Sequence, residues 1–118
     1  MAGNITAYEQ PRLCNDVTVT VANGATVSSV ASLLGTSLIG IVIPSNFVGS
    51  AMTFLVSSDG VTFQTFRNLS GTTVTAVVAA SNSYGIVATD FLAWRFIKLV
   101  CATVQTSEVT IIFQTISL

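Results

Sequence analysis

From Val17 onward the chain alternates between apolar and polar positions with a period of two. Val17, Val19 and Val21 fall on one face and Thr18 and Thr20 on the other, a rhythm of β-branched residues that predicts a strand. Asn23-Gly24 follows as a turn, and Thr26 to Val30 is expected to return as its hairpin partner. Ala31 to Ser37 has no clear period, although Gly35 argues against a long helix. Leu38 to Ile43 is a continuous apolar run stopped by Pro44, which predicts a strand buried on both faces.

The second half repeats this grammar. Ala51 to Ser57 places Met52, Phe54 and Val56 on one face, and Ser58-Asp59-Gly60 then predicts a tight turn, because Asp bonds locally to backbone and Gly tolerates positive φ. Val61 to Phe66 leads out of that turn, Asn68-Leu69-Ser70-Gly71 makes another, and Thr72 to Ala79 and Tyr84 to Ala88 predict two further strands around Ser81-Asn82-Ser83. Thr89 to Ala93 reads as one helical turn capped by Thr89 or Asp90. Trp94 to Cys101 predicts a strand with Trp94, Phe96 and Lys98 on one side, and Trp94 and Phe96 are expected to be buried. Glu108 to Ile116 closes the series.

Eight or nine short strands parted by turns predict an all-β antiparallel sandwich of jelly-roll type. A length of 118 residues suits one core and no more. The expected organisation is an extended N-terminal arm over residues 1 to 16, aperiodic and carrying Pro11, followed by a single sandwich over 17 to 118. Ile5, Tyr8, Arg12 and Leu13 are the arm's candidate partner contacts, ordering when it lies on a neighbouring subunit.

Composition sharpens the reading. Half of the residues are hydrophobic (51%) and only 8% are charged, against about 25% charged in an average globular domain. Well-spread charge is what holds small domains apart in solution, so this deficit favours a surface covered by other subunits, including copies of the chain itself. With four basic residues and a net charge of −1 there is no footprint for phosphate neutralisation, so neither nucleic acid nor an anionic membrane is an expected partner. The N-terminal sequence has no signal-peptide pattern, and the longest apolar run is far below the roughly 20 residues that span a bilayer.

Catalytic chemistry is hard to assemble from these residues. The chain has no His, which removes the commonest general base and zinc ligand and every Ser-His or Cys-His arrangement. Glu9, Asp16, Asp59, Asp90 and Glu108 each sit where an arm, a turn, a cap or a strand start explains them. Cys14 and Cys101 are the only cysteines and read as small buried thiols. No catalytic residue, metal ligand or cofactor is expected. Tyr84 and Trp94 are the residues that would stack on sugars in an alternative, glycan-binding role.

Two stretches together carry a resemblance. Phe54-Leu55-Val56-Ser57-Ser58-Asp59-Gly60-Val61-Thr62-Phe63, preceded by the apolar strand ending at Pro44, and Trp94-Arg95-Phe96-Ile97-Lys98-Leu99-Val100 resemble a β-sandwich family among the virion proteins of tailed bacteriophages. Discoidin-like carbohydrate-binding sandwiches share the Asp-Gly turn and the Arg-Phe-Ile strand. The phage resemblance implies a capsid decoration, or cement, protein bound to the major capsid protein or other virion subunits, assembled in the bacterial cytoplasm and located in the virion. It leaves open a head-to-tail or tail subunit, or a glycan-binding module of a tail adhesin.

Overall fold

The computed structural model describes residues 14 to 117; residues 1 to 13, which include the candidate contacts Ile5, Tyr8, Arg12 and Leu13, lie outside the described residues. Among the described residues nine strands run β1 (Cys14–Val21), β2 (Ala31–Ser32), β3 (Thr36–Val42), β4 (Ala51–Ser57), β5 (Gln64–Thr65), β6 (Thr75–Val77), β7 (Ser83–Gly85), β8 (Phe96–Cys101) and β9 (Val109–Ser117), with a 3-10 turn at Ala88–Phe91. They form two antiparallel sheets packed face to face as a sandwich. One has the order β1-β9-β3-β7; the other runs β2-β8-β4-β5, with β6 also paired to β4.

Inward residues follow the period-two pattern wherever it was clearest. Val19 and Val21 on β1, Val109, Ile111 and Phe113 on β9, Met52, Phe54 and Val56 on β4, and Ile97, Leu99 and Cys101 on β8 meet in one core. Two sheets share that core because each strand has only one apolar face to hide. Cys101 is a free thiol, and burial pushes its pKa up.

Several expectations are corrected. The arm was expected to reach Asp16, yet Cys14, Asn15 and Asp16 already pair with Ile116, Thr115 and Gln114. Edge-strand pairing uses backbone groups, so exposed polar side chains did not forbid it. Thr26 to Val30 is a crossover between the sheets. Ser29 N–H donates to Thr20 O while Ser28 N–H donates to Leu99 O, and only Val27 bridges to Val100. Ser28 is buried, and its hydroxyl accepts the Leu99 N–H at 2.8 Å while donating to Ser29 O, so a side chain completes the ladder.

In β3 a bulge between Leu38 and Gly40 resets the alternation. Leu38, Ile41 and Ile43 therefore all point inward, while Ile39 and Val42 are only half-buried, which accounts for the unbroken apolar run without burial on both faces. The 3-10 turn has Val87 at its N-cap and no side-chain cap, so neither Thr89 nor Asp90 plays that part. Phe91 anchors it instead, fully buried between Phe54 and Phe66 at ring separations of 5.1 and 5.0 Å.

Phe96 is the largest departure. Because Ile97, Leu99 and Cys101 take the inward face of β8, Phe96, Lys98 and Val100 lie half-buried on the outer face. The Phe96 ring lies over Gly60, where an added Cβ would sit 3.3 Å from it, and Lys98 Nζ lies 4.6 Å from the centroid of Phe63.

Candidate functional site

Among the described residues, four large exposed apolar side chains stand at two depressions, while Val27, Val30, Val61, Leu69 and Val104 are exposed elsewhere. The first is a cleft of about 630 Å³ at one end of the sandwich. Its walls are the Leu34-Gly35 turn between β2 and β3, the Ser58-Asp59 turn after β4, and Leu92 to Phe96 leading into β8. Leu34 is 84% exposed and Leu92 54% exposed on its rim.

Asp59 holds its wall of the cleft. Its carboxylate accepts the Val61 and Thr62 N–H groups, both at 2.9 Å, and the Ser57 hydroxyl at 2.8 Å, while Ser57 Oγ in turn accepts the N–H of Asp59 and Gly60. Those donors hold the exposed carboxyl well below the ordinary range, at about 2, the Val61 N–H contributing most. Opposite in charge, the exposed Arg95 lines the same cleft, and its guanidinium has no partner among the described residues. Trp94 is half-buried; its ring meets Phe66 edge-on at 6.4 Å and so continues the aromatic row Phe66, Phe91, Phe54 into the core.

The second depression is a groove on the open side of the sandwich, between the edge strands β6 and β7. Two adjoining hollows of about 260 and 190 Å³ share Ala76, Gly85 and Ile86, with Phe54 and Phe91 on the floor of one and Ile41 on the floor of the other. Val77 and Val87 stand on its lips, 77% and 63% exposed, and Asp90 is its one charged lining residue. Tyr84 closes the far end, its hydroxyl accepting the Ala79 N–H at 2.8 Å.

Tyr84 and Trp94 therefore line different depressions and do not form one stacking platform. Sequence reasoning missed the groove altogether. It also missed Gln105, which is fully buried and clamps the opposite end of the sandwich. Its side chain accepts the Val48 N–H at 3.0 Å and donates to Val48 O and Thr103 O, while its backbone pairs with Gly24 and Ala25. Among the described residues no three His, Cys, Asp or Glu side chains lie close enough together to hold a metal ion, and no helix is long and apolar enough to cross a membrane. Comparison of the chain with protein-family models, with curated proteins and with solved structures finds no match.

Proposed function

We propose that the protein is a structural subunit of a tailed-bacteriophage virion, a capsid decoration protein that works through protein–protein contacts and carries out no catalysis. The observation that carries this reading is a chain only 8% charged that leaves Leu34, Val61, Leu69, Val77 and Val87 more than half exposed among the described residues. With so few charges to hold copies apart, such a surface suits contact with other subunits. The strand order β1-β9-β3-β7 facing β2-β8-β4-β5 also supports a jelly roll of interlocked Greek keys, and the Asp-Gly turn and Trp94 to Val100 stretch carry the phage resemblance. On a symmetric shell, many weak contacts made at once give firm attachment.

Sedimentation velocity on the full chain, alone and mixed with emptied phage heads, tests the proposal. Self-association or co-sedimentation with heads is the expected result. A monomer under both conditions would count against it.

A second reading is favoured by the end cleft, where Trp94, Asp59 and Arg95 supply an aromatic surface and hydrogen-bonding charges of both signs. In that reading the chain is a glycan-binding module of a tail adhesin. It requires binding to a defined polysaccharide on a glycan array, lost on Trp94→Ala and kept on Tyr84→Ala, since the two residues line different depressions.

A further inference from the structure

The end cleft is lined by polar groups that the described residues leave unused. The Ser57 hydroxyl and the Val61 and Thr62 N–H groups all donate to Oδ1 of Asp59, so its other carboxylate oxygen, Oδ2, is open. Arg95 is the only other charged residue in the lining, and its guanidinium pairs neither with Asp59 nor with anything else among the described residues. Trp94 is half-buried, yet its indole N–H has no acceptor among them, although a Trp N–H withdrawn from water ordinarily finds one.

These groups are held in place before any ligand arrives. The donors on Oδ1 fix the Asp59 carboxyl and keep it ionised at any pH near neutrality, while the Trp94 ring rests edge-on against Phe66. Leu34, on the rim, has a φ of 47°, left-handed backbone that a bulky side chain rarely adopts. That side chain is 84% exposed, so packing within the chain does not offset the strain. Strained backbone of this kind collects at ligand sites.

We infer that the cleft binds a neutral sugar unit, with Asp59 Oδ2 accepting from a sugar hydroxyl, Arg95 and the Trp94 indole N–H donating to sugar oxygens, and Leu34 covering an apolar C–H face. The inference rests on the glycan-binding reading above and names the class of sugar and the groups that hold it. A hydroxyl both gives and accepts a hydrogen bond. Adjacent hydroxyls therefore satisfy an open carboxylate oxygen and open N–H donors together, which a ligand of one charge sign does not. One Asp and one Arg leave the lining without net charge, so no field draws in an acidic sugar. The volume of about 630 Å³ lies within the range of small-ligand pockets, roughly 300–1,000 Å³.

Trp94 is the sole tryptophan of the chain, so its fluorescence reports this cleft. The full chain is titrated with the methyl glycosides of glucose, galactose and mannose, and separately with glucuronic and galacturonic acid. At least one neutral glycoside should give a saturable change with a dissociation constant on the order of 1 mM, and the acids none. Asp59→Asn keeps Oδ1 for the turn and puts a donor in place of Oδ2; it should weaken binding about tenfold or more. Arg95→Gln, at an exposed position, should do the same at an unchanged melting temperature. Leu34→Asn relieves the left-handed strain, so it should raise the melting temperature and still weaken binding, an opposition that a merely structural residue would not show. No saturable change with any neutral glycoside, a response to the acids alone, or wild-type affinity in both Asp59→Asn and Arg95→Gln would overturn the inference. Polysaccharide binding on an array that leaves Trp94 emission unchanged would keep the glycan-binding module and overturn this cleft as its site. Loss of head binding in Asp59→Asn, without any sugar response, would give the cleft to a protein partner and overturn the sugar assignment.

Discussion

Asp59 shows how one side chain can hold a turn. Three donors converge on its carboxylate, so it is more acidic folded, at about 2, than unfolded, at 3.8. A carboxyl depressed by folding adds stability above its unfolded pKa, and that stability is lost as pH falls through the folded value. Thermal melts of wild type and Asp59→Ala are therefore expected to differ by a constant amount above pH 4 and to converge as pH falls toward 2. The carboxylate is exposed, so the difference should be modest; a gap unchanged at pH 2 would mean that the turn does not depend on its charge. The two phenylalanines Phe91 and Phe96 make a sharper contrast. Phe91 is 1% exposed between two other rings, and its truncation to Ala should cost about 3–5 kcal/mol in urea unfolding. Phe96→Ala, on the outer face of β8, should cost well under half of that.

The elements depend on loops as much as on ladders. Gln105 ties the β3–β4 and β8–β9 connections together from a fully buried position. Gln105→Ala leaves the Val48 N–H and C=O without their partner and should cost about 1–3 kcal/mol per unsatisfied group, read by urea unfolding. Strands whose two faces differ were legible in the sequence: β4 and β9 come out where their alternation put them, as do the turns at Asn23-Gly24 and Ser58-Asp59-Gly60. Less was legible where one residue changes register or where packing comes from outside the element. The bulge at Ile39 inverts half of β3, and the assignment of faces in β8 failed because Trp94 lies before the strand begins. Two long apolar sets compete there, and Ile97, Leu99 and Cys101 win the core. The groove lay beyond reach of pattern reading because it is formed by two edges brought together only when the sheets stack.

At the scale of the whole molecule, the two sheets leave one end hollow, where Asp59 and Arg95 stand among polar and apolar residues, and one side open as a groove whose lining is mainly apolar with Asp90 its single charge. Contacts made through such surfaces should be insensitive to salt, unlike steering by charge, which fades over about 10 Å at 0.1 M. Raising salt tenfold should leave the self-association constant within about threefold of its low-salt value, by light scattering across a dilution series. The claim that this is a virion subunit is met most directly by counting the chain in gradient-purified phage particles. Quantitative mass spectrometry should find it at a fixed ratio to the major capsid protein, with density for the sandwich at symmetric positions on the particle. Particles that are complete and infectious without it would contradict the account.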